Sequence, residues 1–131
     1  MRSDRIEEIL QKDPRYPPEA YDFIFDALNF VQLRAQRRTK PAEGEGPRHV
    51  GARELVEGAR DLAIEEFGYL APTVFRLWNL GRTNDLGNLV YNLIGIGEMS
   101  QSPEDRREDF DDLFDLEAAL RGGFVMTVAE E

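Results

Sequence analysis

The chain has 131 residues, 41% of them hydrophobic and 10% aromatic. That is enough for one modest core and too much for a wholly disordered chain. There is no cysteine and one histidine, which excludes disulfide scaffolds, cysteine nucleophiles, thiolate metal sites and two-histidine metal motifs. Sixteen Lys and Arg stand against 26 Asp and Glu, a net charge of −10. Phosphate neutralisation drives DNA binding, so this balance disfavours nucleic acid as a bulk partner.

The acidity is uneven: residues 67–131 hold 12 acidic and 5 basic side chains, against 14 and 11 in residues 1–66. No apolar run reaches the ~18 residues a membrane span needs. The N-terminus carries acidic residues where a secretion signal needs an apolar stretch. The expectation is a single-domain cytoplasmic protein without a membrane segment.

In chain order, Ser3 is a candidate N-cap for a short helix with Ile6, Ile9 and Leu10 on one face. Asp13-Pro14 ends it, because a residue before proline avoids the α region. Pro17-Pro18 opens a second helix over residues 19–37. Tyr21, Phe23, Ile24, Phe25, Ala27, Leu28, Phe30 and Val31 cover most of its circumference. Such a helix is central to the core or meets a partner, and a homodimer is one way to cover it. Residues 39–48 hold two prolines, two glycines and no large apolar side chain, the composition of a flexible internal loop.

The spacing of Ala52, Leu55, Val56, Ala59, Leu62, Ala63 and Phe67 predicts an amphipathic helix that stops at Gly68. A shorter helix begins near Pro72, includes Val74, Phe75, Leu77 and Trp78, and ends at Gly81. Thr83 caps another, with Leu86, Leu89, Val90, Leu93 and Ile94 on its apolar face and Gly95 and Gly97 weakening its end. Asp115 caps a last short helix ending at Gly122-Gly123, after which Phe124-Val125-Met126 adds an extended piece. The fold class is therefore mainly α, with five or six short helices in one domain and a candidate β-hairpin, a winged-helix-like variant, near residues 99–110.

A spaced pattern runs through His49-Val50, Glu54-Leu55-Val56-Glu57-Gly58, Phe67-Gly68, Thr73-Val74 and Trp78. It continues through Asp85-Leu86-Gly87, Val90-Tyr91-Asn92-Leu93, Met99-Ser100, Asp105, Arg107-Glu108-Asp109-Phe110 and Phe114-Asp115. Tyr21-Asp22-Phe23 and Ala27-Leu28 join it near the start. The pattern resembles an uncharacterised family of small bacterial proteins of unknown function and about this length. Where that pattern carries a serine before the main helix, this chain has Gly51. The resemblance implies a bacterial cytoplasmic protein and carries over no activity.

Residues 98–117 contain nine carboxylates and two arginines. Glu104, Asp105, Glu108, Asp109, Asp111, Asp112 and Asp115 are hard oxygen ligands of the kind Mg²⁺ or Ca²⁺ takes. An EF-hand started at Asp109 fails, because Leu113 and Phe114 fall where a ligand and the turn glycine belong. The plainer reading is a solvated acidic face with Arg106 and Arg107 pairing locally, and a third is a docking surface for a basic partner. Arg34, Arg37, Arg38 and Lys40 form a basic patch without the interleaved aromatics that stack bases, which fits helix termination better than phosphate contact. His49 is a structural or capping histidine before a general base.

The helices between residues 52 and 97 also fit a winged-helix arrangement, with Asn84, Asp85, Asn88, Tyr91 and Asn92 on the reading face. That helix has no Lys or Arg, and its wing would be acidic. No phosphate-loop, dinucleotide or nucleophile-elbow glycine motif occurs, and Phe67, Phe75 and Trp78 read as core aromatics. The function expected from the residues is a small acidic non-catalytic interaction or scaffold module, without cofactor or metal. The alternatives are a nucleic-acid-associated regulator and a divalent-metal protein using residues 104–115.

Overall fold

A computed structural model describes the backbone of residues 5–38 and 50–129, with side chains over 5–37 and 50–122. Ser3, Lys40, His49, the 39–48 segment and the side chain of Arg38 lie outside the described residues. The described residues form six α-helices: α1 Ile6–Lys12, α2 Pro18–Arg38, α3 Ala52–Phe67, α4 Ala71–Leu77, α5 Thr83–Gly95 and α6 Leu116–Ala129. Two 3₁₀ turns, Gly68–Leu70 and Arg107–Phe110, join them.

The main amphipathic helix has the expected limits. Gly51 enters it in an extended conformation, and Gly68 leaves it at φ +55° while its N–H donates to Ile64 O. The buried face of α3 carries Leu55, Val56, Gly58, Ala59, Leu62 and Ala63. α3 is the hub, packing on α2, α4, α5, α6 and both 3₁₀ turns. α2 lies across it so closely that a Cβ on Gly58 would stand 2.0 Å from Val31 Cγ2. Arg34 of α2 pairs with Asp61 of α3 at 2.8 Å beside that contact. The broad apolar circumference of α2 is therefore explained within the chain: Tyr21, Phe23, Ile24, Ala27 and Val31 are buried against α3 and α5. Phe23, Phe67, Phe75 and Trp78 form one aromatic cluster, with ring centroids 5.5–6.0 Å apart.

Four local expectations need correction. α4 ends at Leu77, four residues before Gly81. Asn79 takes the left-handed conformation at φ 62°, and Leu80 N–H returns to Phe75 O at 2.8 Å. Asparagine tolerates that region, so a glycine was not needed there. Thr83 is not the cap of α5 but its first residue, fully buried. Its hydroxyl donates to Phe110 O at 2.7 Å and accepts from Leu113 N–H at 3.0 Å. The capping oxygen is Asp85 Oδ2, which accepts the N–H groups of Gly81 and Arg82 at 3.0 and 3.1 Å.

The last helix starts as expected, with Asp115 Oδ1 accepting Ala118 N–H at 3.0 Å. It does not stop at Gly122-Gly123, and the stretch 124–126 is helical rather than extended. Glycine costs a helix interior only ~1 kcal/mol, and Leu116 and Leu120 anchor the preceding turns in the core. Residues 99–110 carry no strand among the described residues. Asp105 Oδ2 accepts Ser102 N–H at 2.9 Å and closes a turn there, and a 3₁₀ turn follows. Phe110 plugs into the space left by Gly87, where a Cβ would meet Phe110 Cβ at 2.6 Å. A buried anchor at the end of two side-chain-closed turns leaves no alternating edge for a hairpin.

Candidate functional site

The acidic segment folds back on α5, and most of its carboxylates are used in doing so. Asp105 closes its turn, and Asp109 Oδ2 accepts Arg106 N–H at 3.0 Å. Asp111 pairs with Arg107 at 2.6 Å, Asp112 pairs with Arg82, and Asp115 caps α6. Glu104 and Glu108 are exposed. Among the described residues, no group of three or more His, Cys, Asp or Glu is arranged to hold a metal ion.

Arg107 is the centre of this attachment. Its Nε donates to Asn88 Oδ1 at 2.8 Å, its Nη1 to Asp111, and its Nη2 to the carbonyl of Asn84 at 3.0 Å. Asn84 Oδ1 in turn accepts Asp112 N–H at 2.9 Å. On its other side α5 is joined to the α1–α2 connection. Tyr16 donates to Asp85 Oδ1 at 2.6 Å and accepts from Asn88 Nδ2 at 2.8 Å. Asn92 Nδ2 donates to Asp13 Oδ2 and to Tyr21 Oη, each at 3.0 Å. Burial, reinforced by the Asp85 carboxylate, pushes the Tyr16 hydroxyl up to about 12. The Arg15 guanidinium, with help from Asn92, holds the Asp13 carboxyl well below the usual carboxylate range.

The residues read as a DNA-facing surface, Asn84, Asp85, Asn88 and Asn92, thus bind other parts of the same chain. The basic patch is likewise divided. Arg34 pairs with Asp61 and stacks over the Phe30 ring at 5.0 Å, while Arg37 is exposed.

Two features did not emerge from the sequence. The first is a cavity of about 580 Å³ between α2, the start of α3, α5 and the 97–110 segment. Phe25, Leu28, Leu55, Val90, Ile94 and Phe110 give it apolar walls. Among its described lining residues the charged ones are Glu98, Asp105, Arg106 and Asp109, and Arg5 Nη1 would stand 3.3 Å from a Cβ on the lining residue Gly97. Tyr91 is also in the wall, edge-on to Phe110 at 6.3 Å, and its buried hydroxyl makes no hydrogen bond. An unmet buried polar group costs about 1–3 kcal/mol. Burial and the nearby Asp105 and Asp109 carboxylates raise the pKa of this hydroxyl.

The second is an apolar ridge at the turn between α3 and α4. Leu70, Thr73 and Leu77 recur at helical spacing on one face, with Tyr69 beside them. Leu77 is 76% exposed, Tyr69 68% and Leu70 48%. A sequence signal existed: Leu77 is out of phase with Phe75 and Trp78, which join the aromatic cluster.

No family model, curated protein or solved structure matches this chain. Among the described residues, no helix is long and apolar enough to cross a membrane.

Proposed function

We propose that this protein is a small acidic, non-catalytic interaction module that docks a protein partner on the ridge of Tyr69, Leu70 and Leu77. The observation that carries this reading is the exposure of large apolar side chains along one face of residues 69–77. Isolated exposed leucines are ordinary, but three large apolar side chains exposed within nine residues favour an interaction surface. The partner is a protein segment with an apolar anchor flanked by Lys or Arg. Exposed Glu65 and Glu66 end α3 next to the ridge, and the chain carries a net charge of −10. Complementary charge favours a basic partner, whereas a second copy would bring like charge to the same place. The rest of the polar surface supports a scaffold role, because the asparagines of α5 and most carboxylates of the acidic segment hold the fold together. We take such a module to work in the bacterial cytoplasm, as the resemblance implies.

The test is a photo-crosslinking amino acid placed at Leu77 and, separately, at Glu104, in cells. The reading expects a heteromeric adduct from Leu77 whose crosslinked segment contains Lys or Arg. Tyr69→Ser with Leu70→Ser should remove it without lowering the melting temperature. An adduct from Glu104 alone would move the docking surface to the acidic segment. An adduct between two copies would make the ridge a homodimer contact. No adduct at either site would end the interaction reading.

A further inference from the structure

We infer that Asn88 couples the two sides of α5, so that docking of the α1–α2 connection on one side holds a strap, residues 105–113, closed on the other. The Asn88 side chain stands between the two. Its Oδ1 accepts Arg107 Nε of the strap at 2.8 Å, and its Nδ2 donates to Tyr16 Oη of the connection at 2.8 Å. Tyr16 passes its own proton to Asp85 Oδ1 at 2.6 Å. The direction of every bond is forced. A guanidinium only donates and a carboxylate only accepts, so the amide and the hydroxyl between them are each fixed in one orientation. The relay is charge-assisted at both ends, and each bond in such a chain polarises the next.

The strap is built to respond to this relay. It rests on α5 through Asp112 N–H to Asn84 Oδ1 at 2.9 Å and Leu113 N–H to Thr83 Oγ1 at 3.0 Å, beside the Arg107 fork. A further link, Arg82 with Asp112, has side chains 65% and 68% exposed, and water leaves such a pair little strength. Tyr16 is 1% exposed, so its end of the relay is shielded. Without the Tyr16 hydroxyl the Asn88 amide is free to turn, and Arg107 loses a fixed acceptor. Asp105, Arg106, Asp109 and Phe110 of the strap line the cavity, so the relay also places that wall under the control of the α1–α2 connection. The ridge plays no part in this device.

The test is hydrogen exchange of the full chain, followed residue by residue by NMR. The reporters are the Asp112 and Leu113 amides, whose acceptors sit on α5. Tyr16→Phe removes a hydroxyl whose bonds run to α5 and not to the strap. It should speed exchange of both reporters about fivefold beyond any change at Ala59 and Ala63 of α3. In an Asn88→Leu background the reporters exchange faster from the start, and adding Tyr16→Phe should change them no further. If Asn88→Leu does not fold, Asn88→Ala takes its place. Coupling is reciprocal, so Arg107→Ala should speed exchange of the Tyr16 hydroxyl proton, two bonds along the relay. Reporters that move no more than Ala59 and Ala63 in Tyr16→Phe overturn the coupling. A Tyr16→Phe effect that persists in full without the Asn88 amide also overturns it, and assigns the link to the Asp85 cap of α5.

Discussion

Arg107 Nε donates to Asn88 Oδ1 at 2.8 Å, and this bond fastens the acidic segment to the helix that precedes it. The same guanidinium reaches Asp111 and the Asn84 carbonyl, so three bonds converge on one side chain. Hydrogen bonds to charged groups contribute about 1.5–3 kcal/mol each when well shielded, and less where water competes. Arg107 is about one-third exposed. Arg107→Ala should therefore cost about 2 kcal/mol. Its local signature is faster amide exchange across residues 105–112 with unchanged protection in α2 and α3. Arg107→Lys should behave almost as badly, since one ammonium cannot replace a planar fork. Uniformly accelerated exchange would mean the segment is not a separate unit.

Gly87 and Phe110 make a second, purely steric joint. A Cβ at position 87 would fall 2.6 Å from Phe110 Cβ. Gly87→Ala should thus destabilise by about 1–3 kcal/mol, even though alanine is the better helix former. The effect should be partly non-additive with Phe110→Ala, which removes the ring atoms that would stand at 2.8 and 3.1 Å but keeps the Cβ. A double mutant whose urea midpoint equals the sum of the single effects would show that the two residues do not compete for the same space.

The elements that could be read from the sequence are those set by nearest neighbours. α3 has a regular apolar period, and its stop, Gly68, is a residue with φ > 0. α2 was readable as central because its apolar residues exceed one face. The sequence could not show what α5 does with its polar face, because the partners of Asp85, Asn88 and Asn92 lie about seventy residues away at Asp13, Tyr16 and Tyr21. A row of asparagines looks the same whether it awaits adenine or holds a loop. The acidic run posed the same difficulty. Its composition suggested a surface or a metal site, whereas its spacing serves turn closure by Asp105 and capping by Asp115. The cavity depends on how four segments meet and leaves no local pattern.

Those internal commitments bear on divalent metals. The carboxylates of residues 104–115 point into separate turns and pairs, and among the described residues they form no ligand cluster. Millimolar Mg²⁺ or Ca²⁺ should leave the melting temperature unchanged. A reproducible rise that disappears in Asp109→Asn would restore the metal reading of the acidic run.

The α1–α2 corner should dominate the acid limb of stability. Asp13 accepts Arg15 Nε and Nη2 at 2.7 Å each and Asn92 Nδ2 at 3.0 Å, with only 16% of its side chain exposed. The Arg15 guanidinium keeps this carboxyl ionised far below the ordinary value near 3.8. In that interval the unfolded chain binds a proton that the folded chain does not. Stability from Asp13 is therefore complete above the ordinary value and is lost as pH falls toward the lowered native one. Asp13→Asn should lower the urea midpoint at neutral pH and flatten its fall between about pH 4 and 2. Because Arg15 is 55% exposed, added salt should shrink the difference between wild type and variant. An Asn variant whose midpoint still falls as steeply as wild type would assign the acid lability to other carboxylates.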